Sequence, residues 1–281
     1  MSSKPPLWPA HLHHFCLETP QLDAQVEWYK AHLEMTAEPL DGGAAWLSGR
    51  QRNLVLRPAG EKGFGFAAYA LADDDQAGRF DSWVAERGIP RADLRSPVFT
   101  DAQTAVADPD GNVFVFGVPA RGETGETDPL PGRLQHLGVC TPDIERMRGF
   151  YVDSIGYRLS DIVRNDDGKV SACFLRSDAE HHCLALFAAS SSRFDHQCYE
   201  TTCWNDIRDW GDHFADLRTE IEWGAARHGA GNNLFIFVRD LDGNPVELSA
   251  ELEIRDYDAP PGQWKTEART LNLWGSAWTR D

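Results

Sequence analysis

No stretch of the chain approaches the roughly 20 consecutive apolar residues that a membrane-spanning helix needs. The opening MSSKPPLWPAH also lacks an apolar core of signal-peptide length. The six cysteines (Cys16, Cys140, Cys173, Cys183, Cys198 and Cys203) are scattered without a CxxC pair, so they read as reduced thiols. Basic residues are few: 27 lysines and arginines stand against 44 acidic residues, for a formal net charge of -17. That balance argues against a nucleic-acid phosphate backbone or an anionic membrane surface as the main partner. No GxGxxG strand–turn–helix signature for a nicotinamide or flavin is present either. Cytoplasm is the expected compartment, and a closed homo-oligomer the expected assembly.

What the chain does have is a repeat. LHHFCLETPQLDAQVEWYKAHLEM (12–35) returns as LQHLGVCTPDIERMRGFYVDSIGY (134–157), each copy a short apolar strand, a Thr-Pro turn and an amphipathic helix. Leu22, Val26, Tyr29 and Leu33 recur at helical spacing, as do Ile144, Met147, Tyr151 and Ile155. Asp143 adds a favourable charge at the start of the second helix. The ends of the halves match too: ADPDGNVFVFGVP (107–119) and RDLDGNPVELSAE (239–251) both read as an acidic-Gly-Asn turn feeding a strand. Between them, ARGETGETDPLPG (120–132) has linker composition. The expected organisation is two tandem α+β modules, 9–119 and 133–253, joined by 120–132 and followed by an aromatic-rich extension, 254–281.

The halves differ where chemistry could enter. His14 aligns with His136, but Val115 aligns with Glu247, so only the second half carries a carboxylate in that strand. A buried carboxylate needs a partner, and an ion pair or a metal would each serve. His196 lies in the alternating stretch SSRFDHQCYET (191–201). His136, His196 and Glu247 follow at intervals of 60 and 51 residues, which no helical zinc motif spans. Three strands of one curved sheet could bring them together, and two imidazoles with one carboxylate suit octahedral Fe(II) with open positions.

The block RHGAGNNLFIFVRDLDGNPVEL (227–248) resembles a pattern of the type I extradiol ring-cleavage dioxygenases, in the vicinal-oxygen-chelate superfamily. That pattern runs His-Gly-Pro-Gly-Asn-Asn, an aromatic strand, Asp-Pro-Asp-Gly and a ligand Glu. Both halves together are similar to the two-domain members acting on catechols and dihydroxybiphenyls. The resemblance implies tandem modules of paired βαβββ repeats, each a curved open-barrel sheet, with the metal kept only in the second. It marks His136, His196 and Glu247 as ligands of Fe(II), with Mn(II) the alternative, and a small aromatic diol and O2 as the molecules bound. It places a catalytic histidine about fifteen residues before the second metal histidine, at His181 with His182 the rival, and gives His228 a substrate-facing role. The family usually has a tyrosine ten residues before the ligand Glu; here Phe237 keeps the ring and loses the hydroxyl, which leaves three expectations: slower catalysis, a substrate with a different second oxygen, or a contact supplied by Tyr199 or an ordered water.

The activity so implied is extradiol (meta) ring cleavage. Its rivals are an isomerase, lyase or thiol transferase on the same scaffold, or a non-catalytic aromatic-binding protein. The tail aromatics Tyr257, Trp264, Trp274 and Trp278 are expected to cap the barrel mouth, meet a neighbouring subunit or form a plain packed extension, and Trp204 and Trp210 to wall an aromatic pocket or fill core space.

Overall fold

A computed structural model describes residues 4–120 and 130–278; of the expected linker, 121–129 therefore lie outside the described residues. The first half forms β1 (His11–Thr19), α1 (Leu22–His32), β2 (Thr36–Pro39), β3 (Ala45–Ser48), β4 (Asn53–Pro58), β5 (Gly63–Ala70), α2 (Asp74–Glu86), β6 (Phe99–Ala107) and β7 (Val113–Pro119). The second forms β8 (Arg133–Thr141), α3 (Ile144–Gly149), β9 (Arg158–Arg164), β10 (Val170–Arg176), β11 (Leu184–Ala188), β12 (Arg193–Thr201), α4 (Trp204–Asp216), β13 (Trp223–Arg227), β14 (Leu234–Arg239) and β15 (Pro245–Ala250). In the tail, β16 (Gly262–Lys265) and α5 (Ala268–Leu271) follow.

The strand orders are β2-β3-β4-β1-β5-β7-β6 and β13-β14-β15-β12-β8-β11-β10-β9-β16. Each sheet is two βαβββ units joined edge to edge through their leading strands, β1 against β5 and β8 against β12, both antiparallel. In the first module's second unit one strand has shrunk to an isolated bridge, Arg91 to Val106. Neither sheet closes into a barrel. The tail is not a mere appendage, because β16 extends the second sheet by pairing parallel with β9.

Local chemistry explains the ends of the helices. Asp73 and Asp143 cap α2 and α3, each carboxylate accepting a backbone N–H three residues on. A π-helical turn, Phe150–Ile155, continues α3, so Ile144, Met147, Tyr151 and Ile155 all reach the core. The two acidic-Gly-Asn turns are near-identical: Asp108 Oδ1 accepts from the N–H groups of Asp110 and Asn112, and Asp240 Oδ1 from those of Asp242 and Asn244. Gly111 and Gly243 take the positive φ these turns require, +91° and +76°.

These turns also join the halves. Tyr29 of α1 donates its hydroxyl to Asp240 at 3.0 Å, and Tyr151 donates to Asp108 at 2.8 Å. Repeat-equivalent tyrosines thus reach repeat-equivalent aspartates across the pseudo-dyad, and one apolar core runs through both modules. Burial raises both carboxyls above their usual range, against the hydrogen bonds they accept. Tyr29→Phe and Tyr151→Phe should each cost about 1.5–3 kcal/mol, the worth of a hydrogen bond to a charged group. Urea unfolding should show this as a lower midpoint at unchanged slope; midpoints equal to the unsubstituted chain's would deny the pairs a role in joining the modules.

Candidate metal centre

Three neighbouring strands in the middle of the second sheet each contribute one donor. His136 is on β8, His196 on β12 and Glu247 on β15, and Cys198 pairs with His136 on one side and Glu247 on the other. All three are buried and within 4.8 Å of one another by their ligand atoms. His136 Nε2 lies 3.0 Å from His196 Nε2 and 3.3 Å from Glu247 Oε2, and His196 Nε2 is 3.6 Å from the same oxygen.

The pairing of β8 with β12 slips twice, leaving Gln135 and Asp195 without register partners. Such bulges re-aim side chains, and each skipped residue bonds the histidine that follows it. His136 Nδ1 meets Gln135 Oε1 at 2.5 Å, and His196 Nδ1 meets Asp195 Oδ1 at 2.5 Å. The Gln135 amide is oriented by its own donations to the His182 carbonyl and Glu180, so its oxygen is the atom facing His136. Both Nδ1 atoms therefore donate, and in the neutral rings both Nε2 atoms carry lone pairs.

Burial holds His136 in that neutral form, its pKa lowered to about 4 even beside Glu247. Burial alone would raise the Glu247 carboxyl, but a protonated His136 or His228 ring beside it lowers it well below its usual range. With those rings neutral, as metal binding requires, the lone pairs of the three ligand groups converge where a cation's charge would take the proton's place. A cation bonded to all three at about 2.1 Å spans a triangle of this size, so the donor set fits a divalent metal.

The second module's inner face has two apolar clusters flanking these donors, one around Phe174 and Phe187, the other around Trp223, Phe235 and Phe237. Between them the open space is only about 20 Å³, bordered by His136, His182, His196, His228, Phe237 and Glu247. Cavities of about 680 Å³ and about 360 Å³ adjoin it, the first sharing His196 and Phe237, the second Phe187 and Leu271. The first module shows the same backbone without the donors. His13 and Gly65 are skipped where Gln135 and Asp195 are, so His14, Phe66 and Val115 stand where the triad stands. Trp46, Phe66 and Phe99 pack around His14, and Ser96 holds its Nε2 at 2.7 Å.

The sequence profile of the Glyoxalase/Bleomycin resistance protein/Dioxygenase superfamily matches residues 133–248, the stretch that holds all three donors. That match covers less than half of the chain. Among curated relatives, Metapyrocatechase 2 of Cupriavidus necator is 34% identical over 134 residues, 48% of this chain and 40% of that protein. Against that relative, then, the chain's match spans less than half the length. Homoprotocatechuate 2,3-dioxygenase from Arthrobacter globiformis shares the fold with a TM-score of 0.83 at 23% identity, over 99% of this chain and 91% of that one. The Mn(II)-bound glyoxalase from Novosphingobium aromaticivorans does so with a TM-score of 0.80 at 22% identity, over 94% and 90%.

Within this site, the structure sorts the residues expected from sequence. His228 is beside the donors, its Nε2 3.3 Å from Glu247 Oε1, with its ring stacked on Phe235. Phe237 lines the pocket, 5.8 Å from the His196 ring. Of the adjacent histidines, His182 borders the pocket, 4.2 Å ring to ring from His136, while His181 turns away to Asp161 at 3.1 Å. Tyr199 does not reach the site: its hydroxyl donates to Gln197 in the core on the sheet's other side. Trp210 is also core, its indole donating to the Pro131 carbonyl, and Trp204 sits on the surface against Trp274.

Residues the sequence reading did not single out are Gln135, Asp195, Trp223, Leu271 and Asn233, whose amide lies 3.3 Å from Glu247 Oε1. Asn233 was in view inside the quoted block, and Gln135 and Asp195 each directly precede a ligand histidine.

Gly138 faces His196 across the strand pair, and any Cβ there would overlap the imidazole. Gly138→Ala should displace the ring and weaken metal binding at least ~10-fold, and Asp195→Asn by about 10–100-fold. Calorimetric titration with Mn(II) and circular dichroism would check both. Unchanged affinity in both variants would deny His196 the role of ligand.

Proposed function

We propose that this protein is an extradiol dioxygenase that opens a catecholic ring beside its diol with O2. His136, His196 and Glu247 would hold Fe(II), with Mn(II) the alternative that the same donors accept. The reading is carried by one observation: two imidazoles and a carboxylate converge while two further histidines, His182 and His228, border the same small space. A bound redox metal would supply the path for electrons between diol and oxygen.

The chain's own groups have separable tasks in this scheme. His228 Nδ1 is committed to the Leu271 carbonyl, so the ring's open Nε2 is the atom able to take a proton from a substrate hydroxyl. His182, held neutral by burial well below its usual pKa, would be the second proton-handling group, on the oxygen side. Phe237, Phe187 and Trp223 would sandwich the ring and keep water out. About 20 Å³ of space for a water's centre is room for roughly one water, so an aromatic diol would enter by displacing part of this wall.

The carrier of the activity would be the second module, 133–253, joined through 120–132 to the 9–119 module. A metal-dependent isomerase, lyase or thiol transferase of this scaffold often draws its ligands from both halves, and Phe66 and Val115 in the first module weigh against that arrangement. We place the protein in the cytoplasm as a homo-oligomer. Six free cysteines and a net charge of -17 support the first, and among the described residues no helix is long and apolar enough to cross a membrane.

Anaerobically Fe(II)-loaded protein offered a panel of catechols should consume O2 stoichiometrically and form a yellow ring-opened product. His228→Ala should keep its iron and lose about 10²–10⁴-fold in turnover. Absence of uptake at confirmed iron occupancy across the panel would favour the aromatic-binding alternative, for which Phe237 is the natural starting point. Phe237→Tyr should leave iron content unchanged and alter rate or substrate range if the missing hydroxyl matters.

A further inference from the structure

His181 is fully buried, its side chain borders no part of the metal pocket, and the chemistry above assigns it nothing. Its surroundings are specific. On one side its Nδ1 is 3.0 Å from His182 Nδ1, and on the other its Nε2 is 3.1 Å from Asp161 Oδ2. The backbone fixes both histidines: His181 N–H donates to the Glu253 carbonyl at 2.8 Å, and the His182 carbonyl accepts from Gln135 at 2.6 Å. Asp161 is itself buried and held by the Trp264 indole at 2.6 Å, Arg255 at 2.9 Å and the Gly262 N–H at 3.1 Å. Burial would raise its carboxyl, yet His181, Trp264 and Arg255 together lower it, so it is an acceptor only.

We infer that Asp161 and His181 are positioning residues that set the tautomer of His182. In neutral His181 the nearby Asp161 carboxylate, 3.1 Å from Nε2 at ion-pair distance but outside hydrogen-bond geometry, favours the proton on Nε2. His181 Nδ1 is then a bare acceptor, and of the two facing Nδ1 atoms His182 must supply the proton. That leaves His182 Nε2 unprotonated, so the edge of His182 that meets the pocket presents an acceptor. The arrangement follows the logic of a carboxylate orienting a histidine base, with a second histidine inserted between them. Asp161 is brought to this place by β9, and β16 of the tail supplies Trp264 and Gly262 to hold it, which gives the tail's added strand a task at the site.

The assignment of the tautomer is independent of ring cleavage; only the use of the proton rests on the proposed activity. Long-range ¹⁵N–¹H correlation spectra of ¹⁵N-histidine-labelled, full-length protein loaded with diamagnetic Zn(II) read the tautomers directly. The expected result is His182 protonated on Nδ1 and His181 on Nε2, with the signals assigned by comparison with His182→Asn. Asp161→Asn places an amide donor opposite His181 and should invert both tautomers. In the Fe(II) protein that variant should lower kcat about 10–100-fold with KM and iron content little changed, as expected when a proton-transfer group is misaligned. Because Asp161 also anchors Arg255 and Trp264, His181→Phe serves as the second variant: it removes the acceptor, and His182 should lose its single tautomer. A His182 protonated on Nε2 in the unsubstituted protein, or a tautomer unmoved in both variants, overturns the inference. An unsubstituted protein showing the expected tautomers but no turnover on any catechol would sustain it and instead overturn the proposed activity.

Discussion

The site depends on how β8 and β12 pair. In a regular antiparallel ladder alternate residues share a face, so a ligand histidine and its predecessor point opposite ways. Here the register slips at Gln135 and at Asp195, and each skipped residue bonds the Nδ1 of the histidine after it. Two consequences follow from that pairing. Both rings are oriented with their Nε2 atoms toward Glu247, so a carboxylate that would be costly to bury alone shares its place with two groups able to hold the same cation. Gly138, opposite His196, clears the volume the ring occupies. Gln135 extends the same control one shell further, because its amide also holds the His182 carbonyl.

Duplication makes the reason for this arrangement visible. The first module keeps the slips at His13 and Gly65, so the bulged backbone does not by itself create a metal site. What it lacks is the donor set, since Phe66 and Val115 occupy the positions of His196 and Glu247 and aromatic rings fill the space. The first module still serves the second mechanically. Tyr29 and Tyr151 cross to Asp240 and Asp108, tying each helix to the turn that launches the other module's last strand, β15 in one case and β7 in the other. The strand bearing Glu247 is thus anchored at its start by a residue of the opposite half.

Much of this was legible in the chain. The two-copy pattern predicted the modules, and aligning the copies isolated His136 and Glu247 by what the first half lacked. Other features failed for physical reasons. His181 and His182 are adjacent in the irregular segment between β10 and β11, where no periodicity decides which ring faces inward. The bulges that make Gln135 and Asp195 partners of the ligands break the period-two rule that sequence reading relies on. Tyr199 is different, for that rule held: three residues from His196 along one strand is an odd step, which puts the two on opposite faces. Trp204 and Trp210 belong to a helix on the far side of the sheet from the donors, and proximity in sequence to β12 said nothing of that.

The tail binds these parts into one argument about access. Gly229 and Ala230 both donate their N–H groups to the Thr270 carbonyl, and Gly229 has no room for a Cβ against this segment. One residue on, the Leu271 carbonyl takes the Nδ1 proton of His228 while the Leu271 side chain walls the pocket. The segment that orients His228 is therefore also part of what keeps the pocket too small for an aromatic ring. If a ring enters on the Leu271 side, the side chain must swing while the carbonyl stays, because a carbonyl that left would free the His228 tautomer at the moment it is needed. If it enters past Phe237, from the larger cavity that also borders His196, the tail need not move at all. The second route preserves the orientation of His228 throughout, and it gives the phenylalanine at position 237 a reason to be a side chain that rotates without breaking a hydrogen bond.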